Sequence, residues 1–161
     1  VKRQAQHLVA DVRRVVHDLR PPALDELGLA EALRGAVGQL RGHPNSLQIS
    51  LEADELPADL PAAVESAAYR ITLEAVTNVL KHAGAQHCWI ALRLRAQPPH
   101  LDITITDDGS GLARDAVPNV GLRSMRERAE ELGGTFHLQS RPEGGTQISV
   151  VLPLSEASDP Q

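Results

Sequence analysis

Aromatic side chains are nearly missing from this chain: Tyr69, Trp89 and Phe136 make up 2% of its 161 residues. Without more rings there are no stacking platforms of the kind that hold single-stranded nucleic acid, and the core has to be assembled from Leu, Val, Ile and Ala. Cysteine is equally scarce. Cys88 stands alone, which excludes an internal disulfide and a cysteine-based zinc site and points to a reducing compartment. No apolar run approaches the roughly 20 residues that cross a bilayer. The opening VKRQAQHLVADVRR carries charges where the apolar stretch of a secretory signal would sit. Positive charge is not in excess either. The 16 Lys and Arg face 21 Asp and Glu, giving a formal net charge of -5, so no general attraction to nucleic acid is expected.

What is present is the composition of an ordinary soluble domain, with 42% hydrophobic and 23% charged residues in 17.3 kDa. Valine rather than methionine at position 1 is expected of a piece of a longer protein. There is no internal repeat and no low-complexity tract.

Periodicity predicts the elements. Leu8, Val12, Val15, Val16 and Leu19 share one side of a first helix that should stop at Pro21-Pro22. Gly28 closes a short linker, and Leu29 to Leu40 reads as a second helix. LQISLEA (47–53) alternates like a half-buried strand, and 62–82 forms the longest helical pattern. HCWIALRLRA (87–96) and LDITITD (101–107) read as strands joined by a turn at Pro98-Pro99. A glycine-punctuated stretch from Asp107 to Gly121 leads into a helix, LRSMRERAEEL, capped by Gly133-Gly134. TFHLQS and TQISVVLP then read as a hairpin turning through RPEGG, before a tail expected to be disordered. Strands arriving mostly in adjacent pairs, with few helices, predict an α+β fold: a two-layer sandwich with helices packed on one face of a mixed sheet.

Three patches carry residue types suited to chemistry. Glu74, Asn78 and His82 recur at i to i+4 on the long helix, with Lys81 beside them. A carboxylate, an amide and a cation on one face can polarise a water, hold Mg²⁺ through oxygen and touch phosphate, and the same pattern also describes a solvated helix face. DDGSG (107–111) ends an apolar strand, so Asp107 can accept from an exocyclic amine such as that of adenine while Gly109 and Gly111 let a ligand approach the main chain; Asp-Gly is also a common turn signal. Gly121 opens a helix whose first amides can receive phosphate, and Gly144-Gly145-Thr146 suits either a ligand or a plain hairpin turn.

The order of these patches, Glu-x-x-x-Asn, Asp-x-Gly-x-Gly, Gly-Leu and Gly-Gly-Thr, resembles the asparagine box and three glycine boxes of the GHKL ATPase superfamily over roughly residues 47 to 153. That superfamily includes gyrase B subunits, heat-shock chaperones, mismatch-repair ATPases and histidine kinases. Within it, VRRVVHDLRPPALDELGLAEALR, NVLKHAGA and GLRSMRERAEELGG are similar to sensor histidine kinases of two-component systems that partner response regulators with LuxR/NarL-type outputs. Asn119 stands where the superfamily usually has a first glycine, the loop between the boxes is short, and no Phe-rich box is found, departures that suit the histidine-kinase branch.

The resemblance implies ATP and Mg²⁺ as cofactors and a division of the chain into three parts. Residues 1–28 would end the second dimerisation helix and include a linker, 29–154 would form the catalytic and ATP-binding domain, and 155–161 the tail. It implies that Glu74 is catalytic, orienting or polarising near the γ-phosphate. Asn78 would hold Mg²⁺, and Lys81 and His82 would approach the phosphates. Asp107 would read the adenine amine, with Gly109 and Gly111 shaping its pocket. Gly121 with Leu122 would close the site, and Thr146, after Gly144 and Gly145, would lie near the adenine end. The implied partners are the upstream dimerisation domain, a LuxR/NarL-type response regulator and a second copy in a homodimeric parent, on the cytoplasmic side.

His17-Asp18 mimics a phosphoacceptor, but Pro21-Pro22 ends the helix one turn later, so the acceptor is expected upstream of Val1 and His17 at the domain junction. The remaining histidines, His7, His43, His87, His100 and His137, lack ligand spacing. Two other functions stay open: a serine kinase of the anti-sigma-factor type, against which HDLRPP speaks, and a regulatory module that binds ATP without transferring phosphate.

Overall fold

The structure, a computed structural model, describes residues 19–41, 47–111 and 120–155. The expected first helix up to residue 18, His17, Asn119 and the tail from residue 156 lie outside the described residues.

Among the described residues, three helices and five strands follow in the order α1 (Pro22–Leu40), β1 (Gln48–Ala53), α2 (Ala62–Asn78), β2 (His87–Ala96), β3 (Pro99–Asp107), α3 (Val120–Glu131), β4 (Thr135–Ser140) and β5 (Thr146–Pro153). A single π turn, Val79–Ala83, extends α2. The strands form one sheet in the order β1-β2-β3-β5-β4. β1 runs parallel to β2, while the β2–β3, β3–β5 and β4–β5 pairs are antiparallel. This is the mixed sheet with helices on one face that the strand pairing predicts.

The sheet buries one face because its strands alternate. Cys88, Ile90 and Leu92 of β2, Leu101, Ile103 and Ile105 of β3, and Ile148, Val150 and Leu152 of β5 are all buried. Register aligns Ile90 with Ile105, and Ile105 with Ile148, across three strands. The alternate residues, including Trp89, Thr104, Thr106, Gln147 and Ser149, are exposed or half-buried, as expected of a sheet covered on one side only. The helices close the core with Leu29, Leu33 and Val37 of α1, Val64, Ala68, Ile71 and Ala75 of α2, and Met125 and Ala129 of α3. Phe136 caps the sheet edge, its ring under the Arg126 guanidinium.

Two local details differ from the periodicity. Residues 22–27, expected as linker, are helical, with Pro22 at the start of α1 and Leu24 buried; Gly28 (φ 76°, ψ 172°) then kinks α1 rather than ending a linker. The α-helical pattern expected to reach residue 82 stops at Asn78, where the π turn takes over. The close of α3 is as expected: Gly133 (φ 73°) lets its N–H reach the Glu130 carbonyl at 2.9 Å and the Gly134 N–H reach that of Ala129 at 2.9 Å. Among the described residues, no helix is long and apolar enough to cross a membrane.

Candidate functional site

The alternation that buries Leu101, Ile103 and Ile105 carries one residue further, to Asp107, which is 4% exposed at the end of β3. A carboxylate therefore stands in an aliphatic row, in register with buried Cys88. One of its oxygens accepts the Gly109 N–H at 2.8 Å, turning the chain sharply.

Three segments distant in sequence meet there. A β-carbon on Gly109 would lie 2.3 Å from the Ala83 carbonyl oxygen, and the neighbouring Ser110 N–H donates to that oxygen at 2.9 Å. The end of the π turn is thus fastened to the Asp-x-Gly-x-Gly turn. From the other side, a β-carbon on Gly145 would lie 1.9 Å from the Asp107 carbonyl oxygen, and one on Gly111 would lie 3.3 Å from the Gly145 carbonyl oxygen. Gly111 and Gly145 also hold positive φ, 75° and 88°. These glycines are required by backbone packing, whatever lies beside them.

Glu74 and Asn78 are half-buried on α2, one helical turn apart, with Asn78 the last residue before the π turn. In the π turn, residues stack at i to i+5, so His82 leaves the line through Glu74 and Asn78 that strict α-helical spacing predicts. Lys81 and His82 are exposed on it, and Gly84 ends it in the left-handed region at φ 59°. For Gly121 and Leu122 the placement is simpler: both lie in the first turn of α3, half-buried, with Leu122 packed against the core. Thr146 opens β5, paired with Ser140.

Other residues hold the site together without having been singled out by spacing. Asp108 accepts the Gln86 and His87 N–H groups at 2.9 and 2.8 Å, and its second oxygen meets His87 Nδ1 at 2.7 Å. These bonds, the His87 N–H foremost, hold its carboxyl below the ordinary range. Arg141 donates to the Asp107 carbonyl at 3.3 Å while pairing with Glu143 at 2.7 Å. The doubled aspartate was the available sequence signal for the first; nothing in the spacing of Arg141 announced the second. Burial, with the nearby Asp107 and Asp108 charges, pushes the Cys88 thiol up to about 12.

A buried acceptor among glycine turns suits an exocyclic amine beside a planar ring, and a helix ending in a carboxylate and an amide suits phosphate and metal. Fold and site together suit an ATP-binding domain. The chain belongs to the histidine kinase-, DNA gyrase B-, and HSP90-like ATPase family, whose profile matches residues 63–156, more than half of its length. It is 35% identical over 152 residues to a sensor-like histidine kinase of Chloroflexus aurantiacus, covering 89% of this chain and 25% of that protein. It is 31% identical over 161 residues to the sensor protein VraS of Staphylococcus haemolyticus, covering 99% of this chain and 45% of that protein. The chain thus spans less than half the length of these relatives. Among solved structures, the ATP binding domain of PrrB from Mycobacterium tuberculosis is similar at a TM-score of 0.53 and 27% identity, covering 79% of this chain and 91% of that one.

Proposed function

We propose that this chain is the ATP-binding catalytic domain of a two-component sensor histidine kinase. It transfers the γ-phosphate of ATP to a histidine upstream of Val1, for relay to an aspartate of a LuxR/NarL-type response regulator. The parent protein is a homodimer with this domain on the cytoplasmic side. The observation that carries the reading is the convergence of Asp107, Gly109 and Gly145 with the end of the helix that bears Glu74 and Asn78.

On this reading Asp107 accepts the adenine amine, and Gly109, Gly111, Gly145 and Thr146 shape the base pocket. Gly121 and Leu122 close the site, and Lys81 and His82 approach the phosphates. Asn78 fits Mg²⁺ because its amide oxygen is a hard ligand. Among the described residues no group of three or more His, Cys, Asp or Glu is placed to hold a metal ion. Mg²⁺ bound at Asn78 would neutralise phosphate charge. Glu74 orients or polarises near the γ-phosphate. A neutral imidazole nitrogen forms the new P–N bond as the bond from the γ-phosphorus to the bridging oxygen breaks, and ADP leaves with that electron pair.

The direct assay incubates this chain with radiolabelled ATP and Mg²⁺ under alkaline conditions that preserve phosphohistidine. The chain alone should stay unlabelled and should label an added dimerisation domain containing its own acceptor. Nucleotide binding without any transfer would leave a regulatory module, and an acid-labile label lost in His17→Ala would place the acceptor within the chain.

A further inference from the structure

The chain enters the described fold through Leu19 and Arg20, and the Arg20 guanidinium makes four hydrogen bonds. Its Nε donates to Asp25 at 2.8 Å. One terminal nitrogen donates to the Ala62 carbonyl at 2.9 Å and to the Ser66 hydroxyl at 3.2 Å, and the other meets Glu65 at 3.0 Å. Ala62, Glu65 and Ser66 form the first turn of α2, whose N-terminus has no side-chain cap of its own. Glu65 is 9% exposed, so removing the guanidinium would leave a buried carboxylate without its cation. A second arginine, Arg70 of α2, donates to the Leu19 carbonyl. The incoming strand of chain is therefore held to α2 from both sides.

Pro21 and Pro22 follow at once, fixing the backbone between this anchor and α1, where Leu24 is buried. α2 is the rod that carries Glu74 and Asn78. We propose that Arg20 is a positioning residue: it locks the segment arriving from upstream to the N-terminal turn of α2, and so sets where an upstream acceptor meets the nucleotide held at the far end of the same helix. The bonds of Arg20 run to Asp25, Ala62, Glu65 and Ser66, all within the protein. The fork geometry matters, because a lysine offers one charged point where this site uses three nitrogens in a plane. The inference rests on the proposed histidine-kinase function.

The test uses the kinase in its natural length, with the acceptor segment proposed upstream of Val1, as wild type, Arg20→Gln, Arg20→Lys, Glu65→Gln and the Arg20→Gln/Glu65→Gln pair. Nucleotide affinity should stay within about twofold of wild type while the transfer rate at saturating ATP falls, the split expected when orientation rather than binding is lost. The fall in Arg20→Gln should be about 10- to 100-fold, the scale on which misplacement acts on an orientation-dependent reaction. Arg20→Lys should fall between it and wild type, and the double variant should be no slower than the slower single variant. Transfer at or above the wild-type rate in Arg20→Gln, ATP binding lost in step with transfer, or additive losses in the double variant would each overturn the proposal. If the wild-type protein transfers nothing, the proposed function falls instead. Hydrogen exchange then decides the anchor: faster exchange over residues 19–27 in Arg20→Gln, with β2 and β3 unchanged, supports it, and unchanged exchange overturns it.

Discussion

The Ala83 carbonyl oxygen accepts the Ser110 N–H at 2.9 Å, and a β-carbon on Gly109 would stand 2.3 Å from that same oxygen. The end of the long helix and the turn after β3 are thus closed on each other with no room for a methyl group. Gly109→Ala must push backbone from backbone, so it should cost about 1–3 kcal/mol of stability, the range of overpacking in a close-packed interior. It should also weaken ATP binding. Urea denaturation and nucleotide titration read the two effects. Gly35→Ala is the control: Gly35 lies on the exposed face of α1 with open space around it, and the substitution should stabilise by about 0.5–1 kcal/mol. Equal stabilities for the two variants would remove the packing argument.

Asp107→Asn separates the fold of the turn from its proposed recognition of adenine. The amide oxygen can keep the 2.8 Å bond from the Gly109 N–H, while the other position becomes a donor facing an amine donor. Stability should change little, and ATP affinity should fall about 10- to 100-fold, as for loss of a hydrogen bond to a charged group. Calorimetric titration of wild type and variant checks it; matched affinities would take Asp107 out of the base pocket.

Most of the fold was legible because polarity alternates cleanly. ITIT in β3 and QISV in β5 put one aliphatic row inward and one polar row outward, and only one sheet face is covered. The glycine turns of the site were legible for a similar reason: a residue demanded by backbone contact, such as Gly145 against Asp107, leaves its type in the sequence. What periodicity could not convey was the π turn, because Val79 to Ala83 contain no residue type that distinguishes i to i+5 from i to i+4 bonding. Nor could it show that residues 22–27 are helical, since Pro22 both ends one helix and starts another. Arg20, Asp108 and Arg141 share a different obscurity. Asp25 and Glu143 apart, the partners named for them are 21 to 46 residues away, and a single polar residue carries no mark of a distant acceptor.

Asp108 should act as an acid-sensitive clasp. Its carboxyl is held below the ordinary value of 3.8 by the His87 N–H, the His87 ring and the Gln86 N–H. A depressed folded-state pKa contributes stability that is complete above 3.8 and is lost as pH falls through the lower folded value. Wild type should therefore lose stability more steeply below that point than Asp108→Asn, whose amide cannot titrate. Thermal melts across the acid range measure it, and parallel curves would contradict the clasp.

Asn78→Ala tests the metal reading. If the amide oxygen holds Mg²⁺ between helix and phosphates, magnesium should raise wild-type ATP affinity and raise that of the variant much less, by a margin of about tenfold for one lost charged-group contact. In metal-free buffer the two proteins should bind alike. An identical response to magnesium would remove Asn78 as a ligand.

Cys88 supplies a prediction at the opposite end of the pH scale. The thiol is fully buried on β2, opposite Asp107, and burial together with the two neighbouring carboxylates pushes it up to about 12 from an ordinary value of 9.0. Only the thiolate is nucleophilic, so the native protein should be nearly inert to a thiol-specific disulfide reagent at pH 8 and should react at once in denaturant. The same shift acts on stability. A raised folded-state pKa means the unfolded chain releases the thiol proton first, so this contribution is complete below about 9 and is lost as pH rises toward about 12. Cys88→Ala should therefore start less stable at pH 7, through the lost packing, and decline less steeply between pH 9 and pH 11. Rapid labelling of the native wild type, or identical slopes for the two proteins, would mean that the strand end beside Asp107 opens to solvent.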